Sequence, residues 1–240
     1  MPAVSSVVPA LRKILITAGP TREMLDPVRF ISNLSTGEMG YAIARAAVRR
    51  KYQVTLVSGP TNLSVPRGVR FVPVTTSGEL KKVCAELFPA QDCLIMAAAI
   101  CDFAPRKVAS QKISSRGGHW LCLRRTPDIL ASLAQKKGRR IVIGFCLETK
   151  QLIARAKDKL RRKRLDGIVA NFYDPIRHIP FGDRRTKVVL IDASYNVRSC
   201  PRQSKDRTAF RLLDWIEDLN LRRSTGAGTF PKIVLGNRGK

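Results

Sequence analysis

Apolar residues along this chain follow two different spacings. Six short runs are almost continuously apolar and rich in β-branched residues, which is typical of strands buried on both faces of a parallel sheet. The sequence predicts strands at these runs, namely Lys13–Gly19, Gln53–Gly59, Val69–Val74, Cys93–Ile100, Arg140–Phe145 and Gly167–Asn171.

Between these runs the apolar residues recur every three or four positions, as they do on one face of a helix. The segment Gly37–Arg50 is a clear case, and Ser77–Phe88 follows with Ser77 as a candidate N-cap. A third helix is predicted to start at Thr126–Pro127, with proline in its first turn. Two later segments complete the set, Lys150–Arg164 and Thr208–Leu219.

Strands that alternate with helices predict an α/β fold with a parallel sheet covered on both faces. We therefore expect a Rossmann-like, doubly wound, mainly parallel sheet. Near the C-terminus, Lys187–Pro201 is typical of a hairpin at the sheet edge. We expect a single domain over residues 1–221 and a basic, glycine-rich, disordered tail over residues 222–240.

The chain of 240 residues is strongly basic, with 44 Lys and Arg against 18 Asp and Glu and a formal net charge of +26. Such a charge attracts nucleic acids or phosphate-bearing substrates. The basic residues are scattered and form no stripe with interleaved aromatic residues, so we expect salt-sensitive sticking to nucleic acid rather than specific binding. A non-catalytic nucleotide-binding protein with an RNA-associating surface is the alternative to an enzyme.

The six cysteines form no C-x-x-C pair. Four of them lie in or beside apolar runs, which predicts buried free thiols and a reducing compartment; these are Cys93, Cys101, Cys122 and Cys146. The only histidines are His119 and His178, so a His/Cys zinc site is not expected. The longest apolar run is too short to span a bilayer and the N-terminus lacks a signal-peptide pattern, so we expect a cytoplasmic protein.

Ligands of doubly wound sheets bind beyond the carboxyl ends of the strands, and four predicted strands end in small or polar residues there. Several common sites are excluded. No G-x-G-x-x-G follows the first strand, no tyrosine has a lysine four residues later, and neither a P-loop nor a G-x-S-x-G motif is present. The sequence therefore argues against a nicotinamide-dependent reductase, a P-loop nucleotide site and a hydrolase of the G-x-S-x-G type.

The stretch "ISNLSTGEMG" places small hydrogen-bonding residues where a helix begins. Ser35 and Thr36 can cap that helix, and Gly37 and Gly40 can let a ligand approach the backbone. Free N–H groups and the positive end of the helix dipole favour an anion. A capping turn with no ligand is the other interpretation of this segment.

Two charged residues in later loops are further candidates. Asp102 follows three alanines, Ala97–Ala99, which leave room for a flat ligand, and its carboxylate can hold a ribose, a base or Mg²⁺. It can equally be an N-cap or turn residue. Lys112 follows in a polar loop, where most lysines are ordinary surface residues.

Taken together, these segments resemble the phosphopantothenoylcysteine synthetase family. The resemblance rests on "TAGPTREMLDPVRFISNLSTGEMG", on "AAAICDFAP" followed by "QKI", and on "TPDIL", "GFCLET" and "KLRRKRLDGIVAN", which occur in the family's order and spacing. It covers about Lys13 to Asp192. "ISNLSTGEMG" is closest to the bacterial I-S-N-R-S-S-G-K-M-G pattern.

The resemblance implies an amide ligase of coenzyme A biosynthesis. Members of the family activate the carboxylate of phosphopantothenate with a nucleoside triphosphate and then attach cysteine. It further implies CTP as co-substrate, with ATP as the alternative, Mg²⁺ bound through the nucleotide phosphates, a homodimer, and no flavin. The chain starts directly at the synthetase segment, so a stand-alone form is expected.

The resemblance also implies roles for individual residues. Asn33 and Lys112 correspond to catalytic residues, the latter on a mobile flap, and Arg29 to an arginine that reaches the pantothenate of the partner subunit. Substrate-binding roles are implied for Arg29, Asn33, Ala99 and Asp102. Nucleotide-binding roles are implied for Ser35, Thr36, Gly37, Ala97, Ala98, Asp102, Lys112, Arg124, Arg125, Thr126, Pro127, Phe145, Lys159 and Lys163.

The chain departs from the family pattern in three places. Cys101 precedes Asp102 where the family has alanine, and the loop after Lys112 lacks the family's further lysines. Glu38 replaces the lysine before Met39, which removes a positive charge from a segment expected to meet phosphates.

Overall fold

The computed structural model describes residues 11–174 and 185–225. Fourteen strands occur in these ranges: β1 (Lys13–Ala18), β2 (Arg22–Met24), β3 (Phe30–Ser32), β4 (Gln53–Ser58), β5 (Val69–Pro73), β6 (Cys93–Met96), β7 (Phe103–Pro105), β8 (Leu123–Arg125), β9 (Ile141–Glu148), β10 (Gly167–Phe172), β11 (Arg185–Thr186), β12 (Val188–Asp192), β13 (Val197–Ser199) and β14 (Gln203–Ser204). The helices of the same ranges are α1 (Glu38–Arg49), α2 (Ser77–Leu87), α3 (Ile129–Ala134), α4 (Leu152–Arg162) and α5 (Lys205–Thr225).

The central sheet has eight strands in the order β13-β12-β10-β9-β6-β1-β4-β5. The six strands from β10 to β5 are parallel, whereas β12 and β13 are antiparallel and form the edge hairpin. The chain therefore winds outward from β1 in both directions, and the order reverses between β1 and β6. This confirms the predicted doubly wound fold and places a topological switch point at the ends of these two strands.

Alternation along the strands divides the core into two layers. Ile14 and Ile16 of β1 pack in the layer that contains α1 and α5, where Trp215 is almost fully buried. Leu15, between them, packs in the layer that contains α2, α3 and α4. Both faces of the sheet are thus covered, which explains why its strands are continuously apolar.

Helix α1 lies unusually close to β1 because its contact surface consists of small residues. A Cβ atom added at Gly40 would lie 2.5 Å from the Cβ of Ala18, so only glycine fits this contact. Gly40, expected to admit a ligand to the backbone, is therefore required for packing. Helix α5 covers the outer side of α1, with ion pairs such as Arg45–Asp206 and Arg50–Glu217 between the two helices.

Several predicted helix ends differ from the structure. The third helix begins at Ile129 rather than at Thr126–Pro127, because the Asp128 carboxylate accepts a hydrogen bond from the N–H of Ala131 (3.0 Å) and caps it. Helix α2 is capped by Thr76 instead of Ser77. Helix α5 starts earlier than predicted.

The predicted tail also overlaps α5. Residues 222–225 complete this helix, and residues 226–240 lie outside the described residues. A tertiary contact explains the extra turn, since Arg223 donates a hydrogen bond to the carbonyl of Gly138 (2.8 Å) and pairs with Asp166 (3.3 Å).

The cysteines are free thiols, and all but one are buried. The exception is Cys122, which is exposed beside β8, so its predicted burial is wrong. Among the described residues, no helix is both long and apolar enough to cross a membrane. His119 lies on an exposed loop, 2.7 Å from the carbonyl of Ser114, and His178 lies outside the described residues.

Candidate active site

A cleft of about 900 Å³ lies at the switch point, beyond the carboxyl ends of β1 and β6. Its walls come from the start of α1, the segment after β6, the end of β9 and one face of α4. Most of the residues singled out from the sequence line it: Asn33, Ser35, Thr36, Gly37, Ala97, Ala98, Ala99, Asp102, Arg125, Thr126, Pro127, Phe145, Lys159 and Lys163.

The base of the cleft is formed where two backbone segments run side by side in parallel. Strand β6 ends at Met96, earlier than predicted, and Ala97–Ala99 then run against the loop after β1. The Ala98 N–H donates to the hydroxyl of Thr17 (3.2 Å), and the Ala99 N–H donates to the carbonyl of Gly19 (2.9 Å). Small side chains and satisfied backbone groups here leave a flat surface at the base of the cleft.

The side-chain amide of Asn33 has a fixed orientation. Its Nδ2 donates to the carbonyl of Ala99 (2.9 Å) and to the Sγ of Cys101 (3.6 Å). The first of these partners is an acceptor only, so the amino group must face it. Because Nδ2 makes both bonds, Oδ1 is the atom of this amide that can accept a hydrogen bond from a ligand.

The start of α1 has no side-chain cap. Gly37 occupies the N-cap position with φ of 80°, a left-handed conformation that favours glycine, and no side chain accepts a cap hydrogen bond there. The prediction that Ser35 or Thr36 caps α1 is therefore wrong, and Ser35 instead accepts a bond from the Gly37 N–H (3.3 Å). The uncapped helix start faces the cleft with N–H groups available to an anion.

Asp102 lies on the exposed wall of the cleft and starts no helix, so its interpretation as an N-cap is wrong. Thr126 fixes the backbone beside it. The Thr126 hydroxyl donates to the carbonyl of Cys101 (2.6 Å), and its N–H donates to the carbonyl of Asp102 (3.0 Å). The segment carrying Asp102 is thus held against the segment that begins α3.

Lys159 on α4 and Lys163, the residue that caps the C-terminus of this helix, form the cationic wall. The Nζ of Lys159 donates to the carbonyl of Phe145 (2.8 Å), and that of Lys163 pairs with Asp128 (2.8 Å). Burial lowers the pKa of Lys159, and the positive charge of Lys163 lowers it further. An anion bound in the cleft would raise the pKa of Lys159 again, because it stabilises the charged form of this side chain.

Sequence reasoning missed one basic residue of the cleft. Lys205, the first residue of α5, lines the cleft with 9% of its surface exposed, and its ammonium pairs with Glu38 at the start of α1. No local signal marks Lys205, because it enters the site only through the packing of α5 on α1.

Three predicted site residues do not line the cleft. Lys112 is exposed on the segment between β7 and β8, and Arg124 is exposed on β8. Arg29 donates instead to the carbonyl of Ile113 (3.2 Å), next to Lys112, and Asp26 accepts the Ile113 N–H (3.1 Å). The structure therefore docks the neighbourhood of Lys112 on the β2–β3 turn.

Comparison with known proteins establishes the family. Residues 10–219 match the model of the DNA/pantothenate metabolism flavoprotein C-terminal domain. The chain belongs to this family. The match covers the whole sheet and all five helices apart from the last turns of α5, and it confirms the resemblance drawn from the sequence segments.

Relatives of known name support the same conclusion. The chain is 40% identical over 211 residues to the coenzyme A biosynthesis bifunctional protein CoaBC of Bacillus subtilis, covering 87% of this chain and 52% of that protein. The chain thus spans about half the length of the curated relatives it matches. A crystal structure of the C-terminal domain of a CoaBC protein has a TM-score of 0.74 at 36% identity, covering 87% of this chain and 95% of the other.

A more distant structure shares the fold alone. It is a Cab2 mutant, H337A, in complex with phosphopantothenate-cysteine, with a TM-score of 0.73 at 17% identity and 89% coverage of each chain. Among the described residues, no group of three or more His, Cys, Asp or Glu side chains is placed to hold a metal ion by itself.

Proposed function

We propose that this protein joins 4′-phosphopantothenate to L-cysteine through an acyl-cytidylate. The observation that carries this proposal is the convergence of Asn33, Asp102, Phe145, Lys159 and Lys163 on one cleft at the switch point of a chain from this family. These residues come from four separate segments, which the doubly wound sheet brings together at its switch point, the place where sheets of this kind bind ligands.

The proposed reaction has two balanced steps. A carboxylate oxygen of phosphopantothenate attacks the α-phosphorus of CTP, and the bond to the β-phosphate oxygen breaks, which releases pyrophosphate. The amine of cysteine then attacks the acyl carbon and loses a proton, while the carbon–oxygen bond to the cytidylate breaks and releases CMP. The product is phosphopantothenoylcysteine.

Both steps bring anions together, so the cleft must offset their repulsion. Lys159 and the uncapped start of α1 supply positive potential from opposite walls. Asp102 suits Mg²⁺, which is commonly held by one or two carboxylates together with substrate phosphates. When bound, the metal ion would neutralise charge on the triphosphate.

In this proposal Asn33 acts in the second step. Its amino group is held by Ala99 and Cys101, so Oδ1 can accept a hydrogen bond from the attacking amine of cysteine or from the pantothenate chain. Such a group orients a nucleophile without carrying charge, which suits a site that already contains several phosphates.

The proposed preference for CTP rests on the wall opposite α1. Arg125–Pro127 and Phe145 line the same cleft, and the Nζ of Lys159 donates to the Phe145 carbonyl. A small pocket lined by backbone groups rejects a purine by size and by unpaired polar groups, at about 1–3 kcal/mol for each such group.

We also propose that the active form is a homodimer. Aromatic and aliphatic side chains are exposed on and between the small hairpins β2–β3 and β7–β8, where Phe30 is 42%, Phe103 48% and Trp120 100% exposed. A second copy packed on this face would bury them, and it would bring Arg29 and Lys112 of one subunit close to the cleft of the other. Sedimentation velocity tests this arrangement, and a monomer at all concentrations contradicts it.

Pyrophosphate release tests the reaction itself. The protein is supplied with phosphopantothenate and each of the four nucleoside triphosphates, with and without cysteine, at 150 mM salt, an assay condition near physiological ionic strength. We expect CTP to exceed ATP by at least about tenfold in catalytic efficiency. Equal use of ATP and CTP contradicts the preference, and no release with any nucleotide contradicts ligation.

A further inference from the structure

Lys205 and Glu38 form a partly enclosed ion pair in the cleft wall. Their side chains are 10% and 30% exposed, and both residues line the cleft. Lys205 is the first residue of α5 and Glu38 the first of α1, so the pair joins two helix starts at the end of the sheet where the switch point lies.

Docking of α5 on α1 does not require this pair. Arg45–Asp206 and Arg50–Glu217 already connect the two helices, and in those pairs every side chain is at least 24% exposed. Lys205 is far more enclosed. Burying an ammonium costs free energy that its partner only partly returns, so a buried ion pair is weak evidence for a stabilising role.

The pair also balances charge at the start of α1, where Glu38 is the first residue. A carboxylate alone beside the uncapped start of α1 would repel an anion. Lys205 cancels that charge. An ammonium has three N–H donors, and the bond to Glu38 occupies one of them, which leaves donors for a ligand in the cleft.

We propose that Lys205 is a phosphate-binding residue of the cleft, supplied by α5 and held in position by Glu38. This rests on the proposed function, because it assumes that the anion in the cleft is the triphosphate of a nucleotide.

Calorimetric titration with inorganic tripolyphosphate and with CTP tests this role. Lys205→Met should weaken binding of both by about tenfold or more, the effect of losing one charge-assisted hydrogen bond. Arg207→Met is the matched control, because Arg207 is exposed two residues further along α5 and does not line the cleft. It should change binding by less than about twofold, the effect of one charge in a screened surface field.

The double variant Glu38→Lys with Lys205→Met relocates the cation to α1 and should recover most of the lost affinity. Affinity of Lys205→Met within about twofold of wild type, equal losses in Lys205→Met and Arg207→Met, or no recovery in the double variant each overturns the role of Lys205. If Lys205→Met does not fold, the double variant and Lys205→Arg decide, and both should bind tripolyphosphate within about threefold of wild type. Weaker binding by both would overturn the proposal.

Ligation by the wild type, measured in parallel, separates this inference from the proposed function. Normal ligation together with unchanged binding by Lys205→Met refutes Lys205 alone. Tripolyphosphate binding that depends on Lys205, without pyrophosphate release from any nucleotide, supports the anion site and refutes the ligase. A wild type that binds no tripolyphosphate refutes the inference whatever its ligase activity.

Discussion

Replacing Lys159 by methionine should separate nucleotide binding from stability. Methionine keeps most of the aliphatic stem but loses the ammonium, which donates to the carbonyl of Phe145 at 2.8 Å. A hydrogen bond from a charged group stabilises the folded protein by about 1.5–3 kcal/mol, and the variant loses this bond. The variant also avoids the free-energy cost of burying the ammonium, and this burial is what lowers the pKa of Lys159. The two effects oppose each other, so we expect the free energy of unfolding to change by less than about 1 kcal/mol.

Affinity for CTP has no such compensation. The variant loses a cation from the wall of the cleft in which the proposed function puts the triphosphate, and we expect binding to weaken by at least about tenfold, or roughly 1.4 kcal/mol. Urea titration measures the stability and calorimetry measures the affinity for CTP.

Lys157→Met is the control for this experiment. Lys157 lies two residues earlier on α4, outside the cleft, where its ammonium lies 5.7 Å from the centre of the Tyr195 ring. It carries the same charge, so a general effect of the positive surface would appear equally in both variants. Equal losses of affinity, or CTP binding by Lys159→Met within about twofold of wild type, would refute the role of Lys159.

Three further changes test other parts of the account. Asn33→Asp should still release pyrophosphate but accumulate acyl-cytidylate in mass spectra, because a carboxylate cannot donate to the Ala99 carbonyl and adds negative charge beside the acyl phosphate. A variant that shows no accumulation of acyl-cytidylate and no weaker binding would count against this role of Asn33. Lys112→Gln should slow ligation roughly a hundredfold without a change in thermal midpoint, since its side chain is exposed, whereas activity within about twofold would make it an ordinary surface lysine. Burial acts to raise the pKa of Asp26, but backbone N–H donors including that of Ile113 outweigh it and hold the pKa below its usual value of 3.8. The stability advantage of wild type over Asp26→Asn should therefore be complete above pH 3.8 and shrink as the pH falls through the folded-state pKa of Asp26. Denaturant titrations across that range check this, and a constant difference would contradict it.

The sheet could be predicted because its signals are local. Strands such as β1 and β4 are continuously apolar, and the helices between them repeat every three to four residues, so element order alone implies a doubly wound sheet. The small hairpins β2–β3 and β7–β8 escaped prediction because each strand has only three residues, too few for an alternating pattern to be recognised.

The candidate site was predictable where a residue follows a predicted strand, as Asp102 does, or where the family resemblance points to it, as at Asn33. It was not predictable where tertiary packing brings in a residue, as α5 does with Lys205, or where packing explains a motif residue, as it does for Gly40 against Ala18. Motif position also gave no information on where Lys112 lies, because Asp26 and Arg29 hold its neighbour Ile113 on the β2–β3 turn.

A two-stage experiment tests ligation through an acyl-nucleotide most directly. The protein is mixed with phosphopantothenate, CTP and Mg²⁺ without cysteine, sampled by mass spectrometry, and then supplied with isotopically labelled cysteine. The account predicts a species with the mass of phosphopantothenoyl-cytidylate in the first stage, and its conversion to labelled phosphopantothenoylcysteine and CMP in the second. Absence of both the intermediate and the labelled product, from a protein that is folded and binds CTP, would contradict it.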